Sequence, residues 1–90
     1  MTSDVTYSVR IKGSAAKELG RTPNPMRGRI ALAIDALAEQ PFRGSVLKGE
    51  FRGLRRVRVG DYRIVYEVLH EVLVVLVVRI AHRQDAYRQR

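Results

Sequence analysis

Residues 54–69 read Leu54-Arg-Arg-Val-Arg-Val-Gly-Asp-Tyr-Arg-Ile-Val-Tyr-Glu-Val-Leu69, and the architecture of the chain follows from this segment. Gly60-Asp61 is a two-residue turn signal between two runs that are rich in β-branched and aromatic residues. The pattern predicts a β-hairpin. With a two-residue turn, Val59 pairs with Tyr62, Arg58 with Arg63, Val57 with Ile64 and Arg56 with Val65.

The two faces of this hairpin differ in character, because side chains alternate along each strand. Two arginines that lie directly opposite each other on one face repel, and folding alone does not favour that arrangement. A bound polyanion removes the repulsion, whereas a plain solvated face is the simpler alternative. The apolar face collects Val57, Val59, Tyr62, Ile64 and Tyr66, and the polar face collects Arg56, Arg58, Arg63, Val65 and Glu67.

The segment before the hairpin predicts one strand and two helices. Residues 5–12 alternate between apolar and polar side chains, as in a half-buried strand. A short helix follows, with Ser14 as its N-cap and Gly20 at its end. The second helix starts with Asn24 as N-cap and ends before Pro41. In that helix Pro25 takes the first position, and Met26, Ile30, Ala33, Ile34 and Leu37 form an apolar stripe.

A third strand, Val72–Ile80, follows the hairpin across a short His70-Glu71 turn. Both alternating positions of this strand are apolar, which favours a central place in the sheet. The element order β-α-α-β-β-β predicts an α+β fold: a mostly antiparallel four-stranded sheet with two N-terminal helices packed on one face. Residues 1–90 are expected to form a single domain.

Composition restricts the classes of function. The formal net charge is +8, from 17 Lys and Arg against 9 Asp and Glu, and this balance suggests a polyanionic partner such as nucleic acid. The chain contains no cysteine, which suggests a reducing, cytoplasmic location. The longest apolar run, residues 72–78, is too short to span a bilayer, so no membrane partner is expected.

Three residues after the last strand extend the candidate site. Arg83 can hold a phosphate, His82 can move protons near neutral pH, and Tyr87 can stack on a base. If the last strand runs beside the hairpin, its exit brings them towards the arginines. This set suits RNA cleavage by the neighbouring 2′-OH, which needs no metal. No phosphate-binding loop, metalloprotease motif or acidic two-metal cluster is visible, and no cofactor is expected.

Two motifs of the chain resemble the RelE branch of the RelE/ParE toxin superfamily, and the resemblance covers nearly the whole sequence. The first is the Gly60-Asp-Tyr-Arg63 turn within the hairpin. The second is the ending His82-Arg…Tyr87-Arg. Upstream, the helix that ends Leu37-Ala-Glu-Gln-Pro41 and the Leu47-Lys-Gly loop are similar to the same branch.

The resemblance implies a toxin of a type II toxin–antitoxin pair. Members of this branch cleave mRNA in the A site of the small ribosomal subunit and thereby stop translation, without a metal ion. It also implies a cognate antitoxin that blocks the toxin. The complex then contacts operator DNA through the antitoxin.

Residue by residue, the resemblance assigns the basic strand positions to Arg56 and Arg58, and the phosphate-binding arginine to Arg63. Arg83 and Tyr87 complete the catalytic set. Best-known members carry lysine at the strand positions. Because arginine keeps its proton at neutral pH, His82 becomes the candidate proton acceptor. The predicted RNA-binding residues are Arg55, Arg56, Arg58, Arg63 and Arg83.

Two alternatives share this fold. ParE-like toxins poison DNA gyrase, and usually lack the full arginine set and the terminal tyrosine. An inactive remnant that still binds RNA or the antitoxin is the third possibility.

Overall fold

The computed structural model describes residues 5–49 and 53–82 of the chain. Within these residues, five strands form one mixed sheet in the order β1-β5-β4-β3-β2, and two helices pack on one of its faces. None of the described helices is long and apolar enough to cross a membrane. The elements are β1 (Ser8–Ile11), α1 (Gly13–Arg21), α2 (Met26–Leu37), β2 (Ser45–Val46), β3 (Arg55–Val59), β4 (Tyr62–Leu69) and β5 (Val74–His82).

The predicted hairpin is confirmed. β3 and β4 pair in the expected register, with Val59 opposite Tyr62 and Arg58 opposite Arg63. Gly60 has a positive φ of 58°, which suits the first turn residue of a tight hairpin. A Cβ at Gly60 would lie 2.7 Å from the Met26 Cε atom. Glycine is therefore favoured here by the backbone conformation, while the Met26 side chain packs closely against the turn.

The α+β fold with two helices on one face is confirmed, and the strand count is corrected. β2, only two residues long, pairs antiparallel with β3 and adds a fifth strand that the loop-like composition of residues 41–53 concealed. β1 pairs in parallel with β5, while the other strand pairs are antiparallel. β5 lies between β1 and β4, which confirms the central position predicted from its apolar sequence.

The ends of the helices differ from the sequence prediction. α1 begins at Gly13 without a side-chain cap and runs past Gly20. It ends at Arg21, and the C-cap is Thr22, whose hydroxyl donates to the Glu18 carbonyl at 2.8 Å and whose backbone N–H donates to the Leu19 carbonyl. These bonds satisfy carbonyls of the last turn, so a glycine cap is not required.

α2 begins one residue later than predicted, with Pro25 rather than Asn24 at the N-cap position. Its apolar stripe is confirmed, since Ile30, Ile34 and Leu37 are all buried. The reversal between β4 and β5 also needs more residues than a two-residue turn. A 3₁₀ turn spans His70–Val72, and Leu73 adopts a left-handed φ of 57° before β5 begins.

The core lies between the helices and the helix-side face of the sheet. Its buried members come from nearly every element, so the sheet and α2 depend on the same packing. Ile64 and Tyr66 from β4 occupy its centre and have no exposed surface. The buried cluster contains Tyr7, Ala15, Ile30, Ile34, Leu37, Val59, Ile64, Tyr66, Val75, Val77 and Ile80.

Tyr66 fastens the segment before β2 to the sheet. Its buried hydroxyl donates to the Pro41 carbonyl at 2.8 Å and accepts from the Gly44 N–H at 2.9 Å. Burial raises the pKa of this hydroxyl above its ordinary 10.0, and the Gly44 hydrogen bond offsets the rise only in part. Gly44 comes so close that a Cβ there would lie 2.7 Å from the Tyr66 oxygen and nearer still to the Arg56 carbonyl.

We expect Gly44→Ala to lower the free energy of unfolding by about 1–3 kcal/mol, because the added methyl group overpacks this contact. Gly28→Ala is the matched control. It lies in α2 with no atom within 4 Å of the added Cβ, so it should gain about 0.5–1 kcal/mol. Urea denaturation measures both. Equal stabilities of the two variants would contradict the packing described for Gly44.

We expect Tyr66→Phe to cost about 1–3 kcal/mol, because two buried backbone groups lose their partner. The raised pKa also predicts a pH effect. The unfolded chain releases the tyrosine proton near pH 10, before the folded chain does, so the wild type loses stability as the pH rises above that value. Tyr66→Phe lacks this component, and urea midpoints between pH 8 and pH 11 should therefore fall less steeply. Parallel pH profiles would refute the assignment.

Candidate functional site

The sheet face opposite the helices carries four arginines, which we call the outer arginine face: Arg56 and Arg58 on β3, Arg63 on β4, and Arg79 on β5. Arg58 lies directly opposite Arg63. In the next row of the same face, Val65 lies between Arg56 and Arg79. Three neighbouring strands therefore present guanidinium groups to one surface, as the hairpin pattern predicted for Arg56, Arg58 and Arg63.

The charge on this face is only partly balanced by its own strands. Glu67 lies on the same face of β4, one row beyond Val65. Asp61 lies in the turn, beyond the Val59 and Tyr62 pair that separates it from the Arg58 and Arg63 row. Like charges at opposite positions of an antiparallel pair destabilise the sheet, so the row has an electrostatic cost that an anionic ligand would relieve.

Arg79 was missed in the sequence analysis, because strict alternation assigns it to the other face. Val75 and Val77 are fully buried on the helix side, and a period of two would bury Arg79 with them. The register of β4 and β5 shifts by one residue instead. Tyr66 faces Val77 whereas Val65 faces Arg79, so the extra residue turns Arg79 outward. The sequence signal that could have indicated this shift is Arg79 itself, because a charged residue occupies a position that regular alternation would bury.

Two arginines of this face are partly withdrawn from water. The Nε and Nη1 atoms of Arg63 and the Nε atom of Arg79 are inaccessible to solvent. Val65, although it faces away from the helices, is only 3% exposed. Since water is displaced around these groups, their interaction with an anion is screened less than that of fully solvated arginines.

Arg55 lies apart from the outer arginine face. It pairs with Tyr66 on the helix side of the sheet. Its Nη1 atom donates to the carbonyls of Gly44 at 2.8 Å and Phe42 at 3.2 Å, and its guanidinium carbon lies 5.0 Å from the centre of the Phe42 ring. These contacts give Arg55 a structural role, and they separate it from the other residues predicted to bind RNA.

His82 also lies on the helix side, at the end of β5. It stands opposite Tyr62, and the two rings meet edge to face with centroids 5.5 Å apart. Glu18 and Arg21 of α1 line the same small cavity. The imidazole therefore lies on the face opposite Arg56, Arg58 and Arg63, whereas Arg79 lines the same cavity as His82. The predicted part of His82 in catalysis stays a prediction.

Arg83 and Tyr87, the two remaining predicted site residues, lie outside the described residues 5–49 and 53–82. Their assignment to the catalytic set stays a prediction.

A second concave feature lies at the other end of β4. Its volume is about 560 Å³, and its lining includes Tyr7, Phe42, His70 and Leu73. The Tyr7 hydroxyl and the His70 Nδ1 atom are 2.7 Å apart, so the turn residue His70 is held against the residue that precedes β1. The lining is mainly apolar, which suits an apolar side chain better than a phosphate.

Comparison with known proteins identifies the family. The family model described as the ParE toxin of type II toxin–antitoxin systems, parDE, matches residues 9–87. Toxin RelE of Mycobacterium tuberculosis (strain ATCC 25618 / H37Rv) is 33% identical over 90 residues, which cover 98% of this chain and 93% of that protein. Toxin RelG of the same strain is 32% identical over 85 residues, 92% of this chain and 98% of that protein.

A solved structure supports the same relationship. The toxin–antitoxin complex RelBE2 from Mycobacterium tuberculosis contains a chain that superposes with a TM-score of 0.82 at 30% identity. The match covers 94% of this chain and 100% of that chain. Sequence and fold agree over almost the full length, and the chain belongs to the RelE/ParE superfamily of type II toxin–antitoxin toxins, where it is RelE-like.

Proposed function

We propose that this toxin is an endoribonuclease that cleaves mRNA on the ribosome and so inhibits translation. The observation that carries the proposal is the outer arginine face, with Arg58 directly opposite Arg63 and Arg56 on the same surface. Arginine binds phosphate through two parallel hydrogen bonds, which gives orientation as well as charge. A run of phosphates on one RNA strand matches a surface whose arginines come from adjacent strands.

The reaction assigned to this surface is internal transfer at phosphorus. The 2′-oxygen attacks the adjacent phosphorus, its proton passes to a base, and the bond to the 5′-oxygen breaks as that oxygen takes up a proton. The products are a 2′,3′-cyclic phosphate and a free 5′-hydroxyl. Negative charge grows on the phosphate oxygens in the transition state, and fixed guanidinium groups stabilise it there.

Proton transfer needs a group other than the arginines, because they stay protonated at neutral pH. His82 is the candidate among the described residues near this end of the sheet, since histidine exchanges protons in the physiological range. Its ring contacts Tyr62 on the helix side. Under this proposal the RNA passes around the end of β5, so that the ribose approaches the imidazole while the phosphate stays on the arginines. Arg83 and Tyr87 belong to the same proposal.

The proposed partners follow from the family and its relatives. One relative was solved as a toxin–antitoxin complex, and we propose a cognate antitoxin that blocks this chain. Contact with operator DNA would pass through the antitoxin in that complex. We place the activity in the cytoplasm, where ribosomes and mRNA are found.

A second candidate function is poisoning of DNA gyrase, because the matching family model is that of the ParE toxin. Against it, the arginine-rich face is the feature that RNA cleavage requires and that gyrase poisoning does not explain.

We expect the purified chain to halt cell-free translation and to cut mRNA at positions that depend on the ribosome. Mapping of the new 5′-ends by primer extension should place them in the ribosomal A site, and the same mRNA without ribosomes is the control. Intact mRNA together with trapped gyrase–DNA breaks would reject the nuclease in favour of the second candidate.

We expect Arg63→Gln and His82→Ala to fail in different steps. Loss of the Arg63 guanidinium removes charge stabilisation at the phosphate and should lower single-turnover cleavage about 100-fold. His82→Ala should lower cleavage by a similar factor, because proton transfer is lost, with ribosome binding retained.

The control is Arg29→Gln. Arg29 is an exposed residue of α2, and its substitution removes one positive charge, as Arg63→Gln does, so this variant should cleave mRNA like the wild type. Unchanged cleavage by His82→Ala would remove it as the proton acceptor. Unchanged cleavage by Arg63→Gln would reject the outer arginine face as the phosphate site.

A further inference from the structure

We propose that Arg79 is a phosphate-binding residue of the RNA site, brought to the outer arginine face by the β-bulge at Val78. This inference rests on the proposed nuclease function and adds to the site a residue from β5. The hairpin pattern does not include it, and the family resemblance assigns it no role.

The bulge follows from the burial pattern of β5. Val75, Val77 and Ile80 are all buried in the core, at spacings of two and then three residues. A regular strand cannot bury all three on one side, because its side chains alternate. One extra residue, Val78, resolves the conflict, and the register changes between the Tyr66 and Val65 positions of β4.

Without the bulge, the pairing that holds from Leu69 to Tyr66 would continue and would set Arg79 opposite Ile64. Ile64 has no exposed surface, so this register would bury a charged group in the core. It would also turn Ile80 outward. The observed register gives the opposite result, with Ile80 in the core and Arg79 on the outer surface. Bulges are common where a strand must redirect one side chain near a functional site.

The position of Arg79 complements the predicted arginines. It lies across Val65 from Arg56, so the two Cα atoms are separated by two strand spacings, about 10 Å. Arg63 lies in the next row, diagonal to Arg79. Arginine side chains are long enough to converge from these positions above Val65. A phosphate there would be held from both sides, with Arg56 from β3 and Arg79 from β5.

The surroundings of Arg79 favour such a contact. Its Nε atom is inaccessible to solvent and the residue as a whole is half-buried, so the side chain is partly enclosed rather than fully solvated. A side chain held in this way loses less conformational entropy when it binds a ligand. Its charge also acts through a medium less polar than bulk water.

The test compares Arg79→Gln and Arg79→Lys with Arg29→Gln in single-turnover cleavage on programmed ribosomes. Arg79→Gln should cleave about 10- to 100-fold more slowly at subsaturating toxin, which is the usual effect of losing one charge-assisted hydrogen bond. Arg79→Lys keeps the positive charge but loses the planar guanidinium group and its two parallel hydrogen bonds. Its cleavage rate should lie between those of the wild type and Arg79→Gln. Arg29→Gln should match the wild type, since it changes the net charge by the same amount on the helix side.

Neutral methylphosphonate linkages, placed one at a time near the cleavage position of the mRNA, separate a phosphate contact from a structural role. The linkage at the phosphate that Arg79 contacts should slow cleavage by the wild type. The same linkage should not slow Arg79→Gln further, because the neutral linkage and the substitution remove the same interaction. If every linkage slows both proteins equally, Arg79 does not bind phosphate and the inference is overturned. If Arg79→Gln does not fold, Arg79→Lys provides the test. An Arg79→Lys variant with the cleavage rate and the linkage profile of the wild type would also overturn the inference.

The outcome for the wild type distinguishes the two proposals. If the wild type does not cleave mRNA on ribosomes, the nuclease proposal fails and this inference fails with it. Cleavage by the wild type together with equal cleavage by Arg79→Gln leaves the nuclease in place and rejects only the role of Arg79.

Discussion

The hydrogen-bonded register between β3 and β4 is the constraint on which the site depends. The two-residue turn at Gly60 places Arg58 opposite Arg63 and Arg56 opposite Val65. A shift by one residue would exchange the two faces, with apolar side chains in water and arginines in the core. Core packing and site assembly therefore require the same register, because the hairpin supplies both the buried face and the charged face.

The two faces make opposite contributions to stability. On the outer side, neighbouring guanidinium groups repel one another and reduce the stability of the hairpin. On the helix side, β4 contributes Ile64 and Tyr66 to the fully buried core, and the Tyr66 hydroxyl also anchors the segment at Pro41 and Gly44. Core packing on one side can thus maintain an electrostatically unfavourable surface on the other, which an anionic ligand would stabilise.

In β5 too, core packing determines which side chains reach the outer face. Core packing requires Val77 and Ile80 on one side, and a single extra residue satisfies this requirement while it turns Arg79 outward. His82, two residues past Ile80, returns to the helix side beside Tyr62. The imidazole therefore lies on the face opposite Arg56, Arg58 and Arg63, although Arg79 and His82 line one cavity at the end of the same strand.

The sequence by itself determined the hairpin, its register and the shared face of Arg56, Arg58 and Arg63. These features are local: a Gly-Asp turn and a period of two specify them within sixteen residues. The apolar stripe of α2 and the central place of β5 were predictable for the same reason. Only the tertiary structure decided the parallel pairing of β1 with β5, the bulge at Val78, and the faces on which Arg79 and His82 lie. These depend on contacts between segments far apart in sequence, where burial of the core overrides the regular alternation of a strand.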